Sequence, residues 1–541
     1  MFDSFIKLAY NTAVSKAKFN QFYKQLNPAQ KEAVEAIDGP VMVIAGPGTG
    51  KTQILTLRIA NILLKTDTPP DAILALTFTR SGVHSMRQRL VEIIGSAGYR
   101  VGIYTFHGFC NHIIRNYAEE FPRIIGSAQA TIIDQVKILR EIIHPVKGGV
   151  DSLRLKILKP YGSPYYHLVS ILGEIERFKR ENVAPANLLQ ILKQNEKSFY
   201  ENTPDLYYEK GERFGQMRGK YRALVKSFAK NRELCQVYKK YEASLQARRL
   251  YDFGDMVMEV LRELRENKDL LLTLQEEYQY LLADEHQDAN QAQNELLKLL
   301  ASYHPEPNLF IVGDDKQAIF QFQGASLDNF NYFKKLFPTA KLIVLKENYR
   351  STQTILDLAH SLIQADSALG AETRVKLLAK NKIVKNVTKV KLLAFPKLEL
   401  EINYLVSEVK EQLKNKNESV AIIYRDNADA RPLVSALERA GLPFTLYAEE
   451  SLFADRDIAK LLTLLRAIND FGSEVYLATS LQLDFIGLPL NIIYELFREA
   501  RENKKTVFQV LAVSTEKKLI KFYKNYSAWH ALAQNATLTN F

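Results

Sequence analysis

Two cysteines, Cys110 and Cys235, are all that the 541 residues contain. So few exclude a disulfide scaffold and a four-cysteine metal site. No stretch reaches the roughly 18 consecutive apolar residues that a membrane-crossing helix requires. The opening segment, MFDSFIKLAYNTAVSKAKFN, has no compact apolar core ahead of a cleavage site, so no export signal is expected. Internal repeats and low-complexity linkers are missing as well. These absences point to a cytoplasmic protein without a membrane partner.

Hydrophobic residues make up 47% and charged residues 25% of the chain, as in an ordinary globular protein. The length exceeds what one hydrophobic core serves and predicts three or four domains. A formal charge of +11 suits a polyanion such as nucleic acid, although solvent also accommodates a basic face. Short apolar runs recur at 41–45, 72–78 and 101–105, and again at 278–285, 308–314 and 341–347. Alternating with amphipathic stretches, they predict a parallel sheet covered on both faces. Residues 109–261 read as helix throughout and are expected to be a helical insertion. Further strands are expected near 387–395, 418–425 and 443–447, and helices after about 471.

The stretch VMVIAGPGTGKTQIL runs from five apolar residues into a glycine-rich turn, then a lysine and a threonine. Gly46, Gly48 and Gly50, with Thr49 between them, let backbone N–H groups approach an anion. Lys51 is placed to reach the β- and γ-phosphates of ATP, and Thr52 to ligate Mg²⁺ at a helix N-terminus. The strict pattern has glycine where Ala45 stands. The metal needs a second strand that ends in a carboxylate, and YLLADEHQD supplies one. Asp284 would hold Mg²⁺, and Glu285 would orient or deprotonate the attacking water.

In motif order the chain resembles the superfamily 1 DNA helicases of the UvrD/Rep/PcrA type over roughly residues 26–470. LNPAQKEAV (26–34) is similar to the adenine-reading segment and places Gln30 against the base. AGPGTGKT has the family's own form of the loop, alanine at 45 included, with Gln53 beside the nucleotide. LTFTRSGVHSMRQRL (76–90), YTFHGFCNHIIR (104–115), YDFGDM (251–256) and ADEHQDAN (283–290) follow in the family's order. So do IVGDDKQAIFQFQGAS (311–326), LKENYRST (345–352) and AIIYRDNADARPLVSALERAGLPFTLY (421–447). The resemblance implies an α/β fold of P-loop NTPase (RecA-like) core domains with large helical insertions. The first core domain would comprise 1–108 and 262–345, interrupted by the insertion 109–261. The second would begin at 346–470, with a second helical insertion at 471–541. Gln317 is implied as the γ-phosphate sensor, Tyr349 as packing on adenine, and Arg350 as reaching the γ-phosphate when a cleft closes. Phe78, His107, Phe320 and Phe322 would contact single-stranded DNA, although each aromatic would serve equally in a core.

Several positions depart from the family pattern. Gln323 stands where most relatives carry arginine, Lys316 where an acidic residue is usual, and Gln53 where a basic one is common. His286 follows the carboxylate pair where an aromatic or small residue is usual. Basic and aromatic residues interleave over 207–241, which fits either a nucleic-acid-facing surface or a solvated helix. Two later motifs of the second lobe are not found before Phe541, one with a threonine-histidine pair and one with a second γ-phosphate arginine. The chain is therefore expected to lack its C-terminal motifs, with the second core domain incomplete. The implied function is an ATP-dependent 3′-to-5′ DNA helicase and single-strand translocase in repair or recombination, acting at single/double-strand junctions. Two alternatives stand beside it. One is the motor of a helicase–nuclease, with a nuclease or repair partner. The other is a nucleotide-dependent single-strand binding module with little turnover.

Overall fold

The computed structural model describes residues 16–144, 153, 155–210, 213–314, 316–317, 329–364, 375–380, 389–414, 419–447 and 456–535. Phe320, Phe322 and Gln323 lie outside them. The chain divides into two compact units, Met1–Val390 and Lys391–Phe541.

All six apolar runs of the first unit form strands. They are β1 (Val41–Ala45), β2 (Ile73–Thr77), β3 (Gly102–Thr105), β6 (Tyr280–Ala283), β7 (Leu309–Gly313) and β8 (Lys341–Leu345). The insertion contributes β4 (Ala128–Gln129) and β5 (Leu250–Tyr251) as a separate pair. The six long strands make one sheet in the order β3-β2-β6-β7-β1-β8, every pairing parallel. Alternate residues of β1 and β7 enter opposite cores. Val41, Val43, Phe310 and Val312 face one core with helices Lys51–Lys65 and Arg80–Ile94. Met42, Leu309 and Ile311 face the other with helices Phe106–Asn116, Phe253–Glu266 and Gln291–Ala301. Burial on both faces is why these strands read as unbroken apolar runs. After β8 the chain forms β9 (Glu347–Asn348), paired in parallel with β10 (Leu378–Ala379).

The insertion is mainly helical as expected, with helices Ile132–Ile143, Leu168–Arg180, Pro185–Asn202 and Arg222–Ala247. It is not helix throughout, since β4 pairs β5 and Tyr207 bridges Met217 in an antiparallel contact. Its own core runs from Ala130 to Leu245. The flanking helices Phe106–Asn116 and Phe253–Glu266 bury their apolar faces in the sheet core instead. Of the second core domain, expected to begin at 346, the described residues 346–364, 375–380 and 389–390 fall within the first unit.

In the second unit the expected strands do not form among the described residues 389–395, 419–425 and 443–447. Helices Leu398–Gln412 and Asn427–Arg439 pack through Ile402, Val409, Leu433 and Leu437. The segments beside them leave Leu392 98% and Ile423 94% exposed. A parallel strand needs a hydrogen-bonded neighbour and cover on both faces, and the described part of this unit supplies neither. The remaining helices, from Arg456 to Asn535, share a core that includes Leu464, Leu477, Leu496, Leu511 and Tyr526. Among the described residues no helix is long and apolar enough to cross a membrane.

Candidate nucleotide and nucleic-acid site

Because every strand of the sheet runs the same way, the segments that follow their C-terminal ends line one edge. In spatial order these segments carry His107 after β3, Phe78 after β2 and the Asp284–Glu285 pair after β6. Asp314 and Gln317 after β7 come next, then the phosphate loop after β1 and Asn348–Arg350 after β8. The nucleotide candidates thus cluster at one end of the row, and two of the nucleic-acid candidates lie at the other.

The loop Gly46–Gly50 joins buried Ala45 to helix Lys51–Lys65. Gly48 and Gly50 sit at φ +69° and +93°, a region that side chains disfavour. Thr49 closes the turn, its hydroxyl donating to the Gly46 carbonyl at 2.7 Å. Gln30 supports the loop from beneath. Its amide donates to the Thr49 carbonyl at 2.8 Å and accepts from the Asn27 N–H at 3.0 Å. Both ends of the side chain expected against adenine are therefore engaged within the protein. Thr52 and Gln53 are half-buried in the first turn of the helix.

Lys51 Nζ meets Glu285 Oε2 at 2.7 Å, with the lysine side chain 11% exposed. Glu285 sits in the left-handed region at φ 48°, which turns its carboxylate out of the strand direction. The Gln287 amide donates to the same oxygen at 2.8 Å and accepts from the Asp314 N–H at 2.9 Å, tying the two carboxylate motifs together. Asp284 is buried and accepts from the Glu285 N–H at 3.0 Å. Burial, then the neighbouring Glu285, pushes its pKa up to about 7. A nearby dication would reverse that shift. The all-oxygen donor set of Thr52 and Asp284 fits a hard ion such as Mg²⁺.

Asn348, Tyr349 and Arg350 lie against the loop. The Asn348 amide donates to the Pro47 carbonyl, and the Tyr349 N–H to the Gly48 carbonyl at 2.9 Å. A Cβ added at Gly48 would stand 2.6 Å from Arg350 Cβ. This fastening sets the Asn348–Arg350 backbone beside the loop. Tyr349 is 41% exposed. Its hydroxyl donates to Glu347 at 2.7 Å and accepts from Asn27 at 3.0 Å.

At the far end, His107 stacks on Phe253, ring centroids 4.0 Å apart and planes 18° from parallel. Burial, with Arg180 nearby, lowers the His107 pKa to about 4, so the ring is neutral at pH 7. Phe253 is 49% exposed, and Phe78 is half-buried. Sequence reasoning passed over Phe253, Asp314 and Asn348. The first belongs to a segment read only as the return of the insertion. The others show their purpose only through partners distant in sequence.

His286 is buried against Phe330 and Phe333, and among the described residues neither ring nitrogen has a hydrogen-bond partner. Burial lowers its pKa to about 4. Unsatisfied buried polar atoms cost about 1–3 kcal/mol each. His286→Phe is expected to raise the thermal unfolding midpoint by several degrees, and a midpoint at or below the parent's would refute this account.

The UvrD/REP helicase N-terminal domain matches residues 26–338, and the UvrD-like helicase C-terminal domain matches residues 343–535. The second match does not bear out the expectation that the chain lacks its C-terminal motifs. The sequence is 29% identical over 497 residues to the ATP-dependent DNA helicase PcrA of Staphylococcus aureus strain Mu50. It is 29% identical over 499 residues to the protein of that name from Staphylococcus epidermidis strain ATCC 12228. In both cases the match covers 91% of this chain and 60% of the relative; the chain thus spans less than two thirds of the length of these relatives. By the match of the N-terminal domain alone, over more than half of its length, the chain belongs to the UvrD/REP helicase family.

Proposed function

We propose that this chain is the ATP-hydrolysing motor of a DNA helicase that moves 3′-to-5′ along single-stranded DNA. The observation that carries the reading is the Lys51–Glu285 pair at 2.7 Å, set between a phosphate loop and a buried Asp284. Loop N–H groups and Lys51 would hold the β- and γ-phosphates. As the phosphates draw the Lys51 ammonium, Glu285 is left to accept a proton from the attacking water. Thr52 and Asp284 would hold Mg²⁺, which neutralises charge on the phosphates when bound. Gln317 and Arg350 are assigned to the γ-phosphate, and Tyr349 to the adenine face.

Phe78 and the His107–Phe253 stack offer sequence-tolerant aromatic faces for bases. Phe320 and Phe322 are assigned the same task from the sequence. PcrA is described as an ATP-dependent DNA helicase, which supports the same activity here. A repair or recombination role at single/double-strand junctions is the fitting context. The test is ATP hydrolysis with Mg²⁺, with and without a single-stranded oligonucleotide, followed by displacement from duplexes with 3′ or 5′ tails. DNA-stimulated hydrolysis and unwinding of the 3′-tailed duplex are expected. Nucleotide-dependent DNA binding without turnover would favour a binding module instead, and unwinding from a 5′ tail would reverse the polarity.

A further inference from the structure

We infer that Asn348 is a positioning residue for ATP turnover, fastening the Tyr349–Arg350 segment to the carbonyls of the phosphate loop. The inference rests on the reading of the chain as an ATP hydrolase. A phosphate-cradling loop commits its N–H groups to the ligand, which leaves its carbonyls for other partners. Here the Pro47 carbonyl accepts from the Asn348 side chain, and the Gly48 carbonyl accepts from the Tyr349 N–H at 2.9 Å.

The other end of the same amide organises the segment that bears the cation. Asn348 Oδ1 accepts from the Arg350 N–H at 2.9 Å and the Ser351 N–H at 2.8 Å. Its carbonyl accepts from Lys380 N–H at 2.7 Å, and the residue is fully buried. No other side chain type of this size offers a donor to one strand end and an acceptor to the next turn at once. Aspartate keeps the acceptor and loses the donor, and alanine loses both. The backbone at Arg350 is thereby indexed to Gly48, and through it to wherever the loop holds the phosphates. Orientation errors of about 1 Å can cost about 100-fold in rate, so the tie matters to turnover more than to binding.

The experiment compares the parent chain with Asn348→Asp and Asn348→Ala, measuring kcat and KM for ATP with Mg²⁺ and single-stranded DNA, and the thermal midpoint. Both variants are expected to lose about 10- to 100-fold in kcat. KM should stay near the parent's, and both variants, having lost a buried hydrogen bond, should unfold at a lower midpoint, so the rates are compared at a temperature where every chain is folded. A parental kcat in the Asp variant would overturn the inference. So would a kcat that returns to the parent's at temperatures well below the variants' midpoints, since that marks a merely structural role. A parent chain without turnover would instead sink the reading of the chain as a hydrolase, and this role with it.

Discussion

Lys51→Ala is expected to reduce ATP turnover by at least about 100-fold, with or without single-stranded DNA. Two losses combine. The ammonium that would meet the developing charge on the phosphates is gone, and Glu285 loses its partner at 2.7 Å. Glu285 then stands beside Asp284 with no cation between them. Lys51 is also the charge that holds the Asp284 pKa down against burial and Glu285, so its removal makes that carboxylate, proposed above to hold Mg²⁺, harder to ionise. The variant should therefore need more Mg²⁺ to reach its residual rate as well as turning over more slowly. The check is a steady-state titration of ATP and of Mg²⁺ for variant and parent. Turnover within about tenfold of the parent's would mean that the loop is not the site of hydrolysis.

The first sheet was legible because its strands are buried on both faces, so hydrophobicity alone marked β1, β2, β3, β6, β7 and β8. The phosphate loop and the carboxylate pair were legible for a related reason: each directly follows such a strand. The second unit was misread by the same rule. Residues 419–425 are as apolar as a strand, yet Ile423 is 94% exposed and no ladder forms among the described residues. An apolar run states what a segment can bury and says nothing about whether a partner is there. Gln30 differs: its motif suggests a base reader, and the structure adds bonds that the motif does not show, from the Asn27 N–H at the cap of helix Pro28–Glu35 and to the Thr49 carbonyl. Asn348 lay inside a recognised motif, between more conspicuous residues, and its bonds cross 301 positions of sequence.

Lys179→Met is expected to be the most destabilising single change outside the nucleotide site. Lys179 Nζ lies 2.7 Å from Glu242, 2.6 Å from Asp252 and 2.7 Å from Asp255, with its side chain 2% exposed. The three carboxylates have the spacing of a cation site, and the ammonium already sits among them. Burial opposes its charge, but the carboxylates outweigh that and hold its pKa well above the ordinary value. Arg123 reaches Glu242 at 2.8 Å and pairs with Glu259. Removing one partner of a buried ion network costs about 3–5 kcal/mol, because the remaining charges stay buried without compensation. The sign of the pH effect follows from this. The stranded carboxylates are relieved by protonation, so the deficit relative to the parent should shrink as pH falls from about 7 toward 5. The network joins helices Leu168–Arg180 and Arg222–Ala247 of the insertion to helix Phe253–Glu266 of the sheet core, next to the Phe253–His107 stack. Its loss should therefore weaken stimulation by single-stranded DNA more than DNA-independent hydrolysis. Unfolding midpoints across pH, and ATPase rates with and without DNA, test both halves. A deficit that stays constant with pH would mean the carboxylates are not the source of the strain.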